Sequence, residues 1–170
     1  MTIHVLVLDG PNLNLLGIRE PTLYGHETLA QVHAKMRPVA QARGAKLRFL
    51  QSNHEGALID AIHAARTRVH GLVINPGALT HYSYALRDAI AAVSLPAVEV
   101  HLSDIKKREP FRRHSVIKDV CVAQISGLGA ASYTMGLSHL LDYVASHDVA
   151  TSAPPTAHKP TPKRRAQEKR

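Results

Sequence analysis

Apolar and polar positions along the chain switch repeatedly between two periods. Residues 3–9, IHVLVLD, form a near-continuous apolar run, as expected of a strand buried on both faces. Residues 28–44 change to a helical period, with Leu29, Val32, Met36 and Val39 on one stripe and Gly44 as the stop. Pro38 falls inside that stretch and is expected to bend it, because proline removes a backbone donor. KLRFLQS (46–52) predicts a second strand and GALIDAIHAARTR (56–68) a helix. GLVINPG (71–77) predicts a short buried strand ending in a turn, and SYALRDAIAAV (83–93) a helix. PAVEVHL (96–102) is a fourth strand, DVCVAQISG (119–127) a fifth, and AASYTMGLSHLLDYVA (130–145) the last helix. Short strands alternating with helices predict an α/β fold: a five-stranded parallel sheet with helices on both faces. Right-handed crossovers then suggest a flavodoxin-like three-layer arrangement with strand order 2-1-3-4-5.

In open parallel sheets, ligands bind beyond the carboxyl ends of the strands. The segments that follow the strands are therefore the informative ones. GPNLNLLGIREPTLYG follows the first, SNHEG the second, NPGALTHYSYALRD the third and HLSDIKKREPFRRHS the fourth. All but the second are long and dense in polar and titratable residues, so sequence-distant segments converge on one cleft.

Composition narrows the class. The 170 residues carry a formal net charge of +8, but residues 151–170 hold six Lys/Arg against one Glu, together with four Pro. That segment cannot bury enough apolar surface to offset the entropy of ordering it. The chain is therefore expected to divide into a folded domain, 1–148, and a disordered basic tail, 149–170. The PKRR run in the tail is either a solubilising feature or a polyanion contact, and nucleic acid is not expected to engage the rest. One cysteine, Cys121, excludes an internal disulfide and a cysteine-clustered zinc site, and its apolar surroundings predict a buried thiol. No apolar run reaches the ~18 residues of a membrane span. No basic segment followed by an apolar run opens the chain, so no signal peptide is expected and a cytoplasmic location fits.

The motifs that would carry cofactor chemistry are missing. The histidines are scattered, and no metal-ligand spacing appears. Neither GxGxxG nor GxxxxGK[ST] occurs, and no GxSxG elbow is present. No metal and no cofactor are expected. Acid–base chemistry remains. A tyrosine titrates near ~10, and a neighbouring guanidinium favours its phenolate. Arg19 and Tyr24 share one loop, so Arg19 could support Tyr24 as a base, or Tyr24 could simply pack its ring on the body. His101, at a strand end, faces the cleft or is a satisfied structural histidine. His81 precedes a helix, where a capping or an anion-binding role fits equally. Arg112 and Arg113 form an anion pocket or a solvated basic turn. A Tyr base, a His acid and an Arg for a carboxylate fit an elimination on a small acid. The alternative is a flavodoxin-like module that binds a nucleotide or polyanion through the tail.

Three motifs, DGPNLNLLGIREPTLYG (9–25), NPGALTHYSYALRDAI (75–90) and EVHLSDIKKREPFRRHS (99–115), together resemble type II 3-dehydroquinate dehydratase, and the similarity extends over residues 3–146. The resemblance implies a cofactor-free anti elimination of water from 3-dehydroquinate, giving 3-dehydroshikimate through an enolate. It implies Tyr24 as proton acceptor, Arg19 as stabiliser of the phenolate and transition state, and His101 as the acid for the departing hydroxyl. Asn12 would hold a water against the enolate. Asn75, His81 and Arg112 would grip substrate hydroxyls and carboxylate, with the backbone N–H groups of Leu102 and Ser103 on the carboxylate. Asp88 would reach a neighbouring subunit's site in a homododecamer built from trimers.

Overall fold

A computed structural model describes residues 2–20 and 25–147 of the chain. Five parallel strands lie in the order β2-β1-β3-β4-β5: β1 (Ile3–Asp9), β2 (Ala45–Gln51), β3 (Gly71–Asn75), β4 (Ala97–His101) and β5 (Ala123–Ser126). Four helices connect and cover them: α1 (Leu29–Ala42), α2 (Glu55–Ala65), α3 (Tyr84–Val93) and α4 (Ala131–His147). The expected flavodoxin-like order is thus the observed one.

The alternation of side chains along each strand divides the core into two layers. Val5 and Val7 of β1, with Val73 of β3 and Val98 and Val100 of β4, pack against Met36 of α1 and Leu137 and Leu140 of α4. Leu6, Leu8, Leu72 and Ile74 face the opposite way, onto Leu58 and Ile62 of α2 and Leu86 and Ile90 of α3. Burying each such side chain contributes roughly 1.5–3 kcal/mol, which is why strand apolarity is continuous rather than alternating.

Helix starts follow local chemistry. Thr28 and Gln31 form a reciprocal capping box at the head of α1, and the Ser83 hydroxyl accepts from Leu86 N–H at the head of α3. Pro38 lies within α1, which runs as one element from Leu29 to Ala42 with Val32, Met36 and Ala40 buried.

The fifth strand is shorter than the expected 119–127. Lys118–Val120 form a 3-10 turn instead, closed by the Cys121 N–H on the Lys118 carbonyl. Val120 and Cys121 pack from this turn onto the α2/α3 layer, so the apolar run serves two structures in succession. β5 begins at Ala123, once Val122 N–H reaches the Ala97 carbonyl. The expected division at residue 148 and the basic tail 149–170 lie outside the described residues. Among the described residues no helix is long and apolar enough to cross a membrane.

Candidate active site

The carboxyl ends of β1, β3 and β4 open onto a cleft. Its construction depends on close backbone approach. Gly10, just after β1, donates its N–H to the Asn75 carbonyl at 2.8 Å. A Cβ at Gly10 would stand 2.3 Å from the Pro76 carbonyl oxygen, so no side chain fits between the first and third loops. Gly77 turns the third loop with φ 58 and starts the 3-10 turn Gly77–His81. The first loop continues through buried Leu13 and Leu16, which reach the cleft, to Arg19.

Beneath the α2/α3 side of the cleft lies a buried acid–base pair. Glu99 is fully buried, and its Oε1 lies 2.6 Å from His101 Nε2. The Thr80 hydroxyl also donates to Glu99, as do Ser115 Oγ at 2.9 Å and Gln124 Nε2 at 2.7 Å. Burial pushes the Glu99 carboxyl up, but the hydrogen bond and charge of His101, with the bonds from Thr80 and Gln124, outweigh it and leave the pKa lowered. Glu99 therefore carries the counter-charge for an imidazolium. Because Nε2 of His101 is committed to Glu99, Nδ1 is the nitrogen left for proton exchange at the cleft.

His81 is set differently. Its ring Nδ1 lies 2.7 Å from the His114 carbonyl, which can only accept, so Nδ1 carries a proton. Burial lowers its pKa, and the charges of His101 and Arg112 add to that against the opposing His114 bond. The ring is thus neutral near pH 7 and offers Nε2 as an acceptor. Three arginines, Arg19, Arg108 and Arg112, border the same cleft, Arg19 paired with Glu20 and the other two with Glu109.

On the α1/α4 side a second buried network closes the floor. Tyr133 Oη donates to Asp9 Oδ1 at 2.6 Å and accepts from Asn75 Nδ2 at 2.9 Å. His33 Nε2 engages Asp9 Oδ2 at 2.8 Å. Burial, and next the charge of Asp9, push the Tyr133 phenol well above its ordinary value.

The comparison with known proteins agrees with this geometry. The family profile of Dehydroquinase class II matches residues 3–141. The chain belongs to the class II dehydroquinases. It is 56% identical over 138 residues to "3-dehydroquinate dehydratase 2" of Pseudomonas putida, covering 81% of this chain and 93% of that one. It is 53% identical to the 3-dehydroquinate dehydratase of Bacillus subtilis, again over 81% of this chain and 93% of the relative. The crystal structure of type II dehydroquinase from Butyrivibrio crossotus superposes with a TM-score of 0.80 at 45% identity, covering 82% of this chain and 97% of that one. The alternative of a nucleotide- or polyanion-binding module rests on the tail, which lies outside the described residues.

Against this class II scaffold, the residues expected from sequence divide into three groups. Arg19, Asn75, His81, His101, Leu102, Ser103 and Arg112 all line the cleft. Asn12 and Asp88 do not line it. Asn12 adopts φ 68 and donates its N–H to Asn53 Oδ1 at 2.9 Å. The Asp88 side chain is 76% exposed on α3 and pairs with Arg87 at 3.5 Å. Tyr24 lies outside the described residues. Arg113 does not line the cleft and donates from Nε to the Arg108 carbonyl at 2.7 Å, bracing the fourth loop.

Sequence reasoning missed Glu99, Thr80, Ser115 and Gln124 around His101, and Asp9, Tyr133 and His33 around Asn75. It also missed Arg108, whose Nη1 lies 3.3 Å from Ser103 Oγ. Among the described residues no group of three His, Cys, Asp or Glu could hold a metal ion.

Proposed function

We propose that the chain dehydrates 3-dehydroquinate to 3-dehydroshikimate through an enolate, with His101 as the acid that expels the hydroxyl. The activity itself, a hydro-lyase reaction of the shikimate pathway, goes with membership of the class II dehydroquinases. The observation that carries the assignment of roles is the buried Glu99–His101 pair, 2.6 Å apart, at a cleft bordered by arginines.

In this reading Tyr24, as a phenolate, takes the C2 proton, and Arg19 stabilises the phenolate before the transfer and the developing enolate after it. Asn12 holds a water that donates to the enolate oxygen. The enolate electrons then expel the C1 hydroxyl, which takes the His101 proton and leaves as water. Hydroxide is a poor leaving group, so this proton governs the second step. Arg112 and the backbone N–H groups of Leu102 and Ser103 hold the substrate carboxylate. Asn75 donates to one substrate hydroxyl, and neutral His81 accepts from another through Nε2. Arg19 sits on a loop next to the cleft, so closing that loop over bound substrate would strip water from the phenolate.

Asp88, exposed on α3, completes the site of a neighbouring subunit in a homododecamer of trimers, and the enzyme works in the cytoplasm. Its exposure supports that reading, because an exposed acidic side chain that does not line its own cleft is available to another. A solution mass below that of twelve chains would overturn the dodecamer, and a fully active single chain would overturn the sharing of Asp88.

The deciding experiment follows the absorbance of the conjugated enone as 3-dehydroquinate is added to the full chain. Growth of the enone band is expected, and a flat trace overturns the activity. The Tyr24→Phe variant tests the base separately, since general-base catalysis contributes about 100-fold or more. Retention of more than about a tenth of wild-type kcat would remove Tyr24 from that role.

A further inference from the structure

Asn75 is only 2% exposed, yet it lines the cleft. A side-chain amide in such a place is useful to a ligand only if its two ends are told apart, because one end donates and the other accepts. Three contacts make that distinction. The Tyr133 phenol donates its proton to Asp9 Oδ1, 2.6 Å away. The Tyr133 oxygen therefore turns a lone pair to Asn75, which must present N–H there, at 2.9 Å. On the other side, the Gly77 N–H donates to Asn75 Oδ1 at 3.2 Å. One N–H of Nδ2 then remains. His33 Nε2 occupies the second Asp9 oxygen at 2.8 Å, so the carboxylate cannot swing to another partner without stranding an oxygen.

We propose that Tyr133 is a positioning residue for the dehydratase reaction: its hydroxyl, held by Asp9 and His33, locks the Asn75 amide so that the remaining N–H faces a substrate hydroxyl. The inference rests on the reading of Asn75 as a substrate-binding group. Packing alone does not account for the phenol. Tyr133 is fully buried in the apolar layer with Leu137 and Leu140, where phenylalanine would fill nearly the same volume without a polar atom to satisfy. The hydroxyl instead links two residues at the ends of adjacent strands, Asp9 of β1 and Asn75 of β3, which are direct partners in the sheet.

The test is steady-state kinetics on the full chain for Asn75→Ala, Tyr133→Phe and the double variant, with a thermal midpoint for each. Asn75→Ala is expected to raise KM about tenfold. Tyr133→Phe is expected to raise KM about three- to tenfold, the effect of one neutral hydrogen bond, with kcat within about twofold of wild type. Added to Asn75→Ala, Tyr133→Phe is expected to change KM by less than about twofold, because the amide it orients is gone, while still lowering the thermal midpoint. Equal KM increases in the two backgrounds, or no increase from Tyr133→Phe alone, would overturn the positioning role and leave Asn75 as a binding group. No effect of Asn75→Ala on KM would remove Asn75 from binding, and the proposal with it. Tyr133→Phe strands a buried oxygen of Asp9, so a second variant, Asp9→Asn, keeps the phenol but gives it a partner that can donate as well as accept. The lock on the amide is then lost, and KM is expected to rise about three- to tenfold with kcat within about twofold of wild type; an unchanged KM would overturn the lock.

Discussion

Two buried carboxylates lie under one cleft, on opposite faces of the sheet, and each holds a histidine: Glu99 with His101 at 2.6 Å, and Asp9 with His33 at 2.8 Å. The order of the groups differs. On the α2/α3 side the histidine stands between the carboxylate and the cleft, so the charge of Glu99 bears on a ring that can exchange protons with a ligand. On the α1/α4 side the histidine is outermost, stacked on Phe49 with centroids 4.1 Å apart. Tyr133 and Asn75 stand between Asp9 and the cleft, and both keep their protons at neutral pH. The first arrangement can transfer a proton. The second can only fix the direction of a donor. Similar pairs of side chains thus serve proton transfer or binding according to which member faces the ligand.

The largest expected effect breaks the reactive side. In His101→Gln the amide can still reach Glu99, but it cannot release a proton to a leaving hydroxyl. We expect kcat to fall by about 10²–10⁴, the range of general acid–base catalysis. Exchange of the C2 proton in deuterated water should fall far less than elimination. Parallel loss of both rates by the same factor would show that His101 does not act separately as the acid. Glu99→Gln should follow, with kcat lowered by about a hundredfold, the low end of that range, because an imidazolium loses its counter-charge while its ring stays in place. A variant within about threefold of wild type would reduce the Glu99 network to a structural one.

A smaller effect separates the networks by pH. The folded-state pKa of Glu99 is lowered: burial raises it, and the bond and charge of His101, with Thr80 and Gln124, more than compensate. Its contribution to stability is in place above the ordinary carboxylate value of about 4.3 and is lost as pH falls through the lower folded value. The folded-state pKa of Tyr133 is raised by burial and by Asp9. Its contribution is in place below the ordinary value of about 10 and is lost as pH rises through the higher folded value. The two sides should therefore weaken at opposite ends of the pH scale. Thermal midpoints recorded against pH should show Glu99→Gln flattening the acid arm and Tyr133→Phe the alkaline arm. Identical profiles for the two variants would mean that neither group sets its arm.

The contrast between the networks also explains what the sequence could reveal. The strands were readable because burial on both faces gives unbroken apolar runs, and the strand-end rule then pointed to Asn75 and His101. The run 119–127 reads as one strand because Val120 and Cys121 are apolar for packing from a turn, which hydrophobic periodicity does not distinguish from a strand. Glu99 was legible in principle: a lone acid in AVEVH, two residues before His101 and so on the same face. Tyr133 was not, since its bond to Asp9 joins positions 124 residues apart and no spacing rule covers such a pair. Asp88 rests on the family resemblance alone; its side chain is exposed on α3 beside Arg87.

The smallest expected effect repeats the first substitution on the other face. His33→Gln replaces the imidazole N–H by an amide N–H on the same helix, where the Asp9 carboxylate needs one donor and no titrating group. The His33 side chain is 14% exposed, so the site can accommodate a change of shape at its outer edge. The substitution loses the stack on Phe49, and with it part of the ring packing, so the thermal midpoint should fall by a few degrees. kcat should stay within about twofold of wild type, and KM should rise by no more than about threefold, because the donor to Asp9 is kept. The same exchange of histidine for glutamine would then lower kcat by orders of magnitude at position 101 and leave it nearly unchanged at position 33. A loss of kcat greater than about tenfold in His33→Gln, in a variant that stays folded, would mean that the α1/α4 network also passes protons to the cleft. That result would erase the division between a side that reacts and a side that holds.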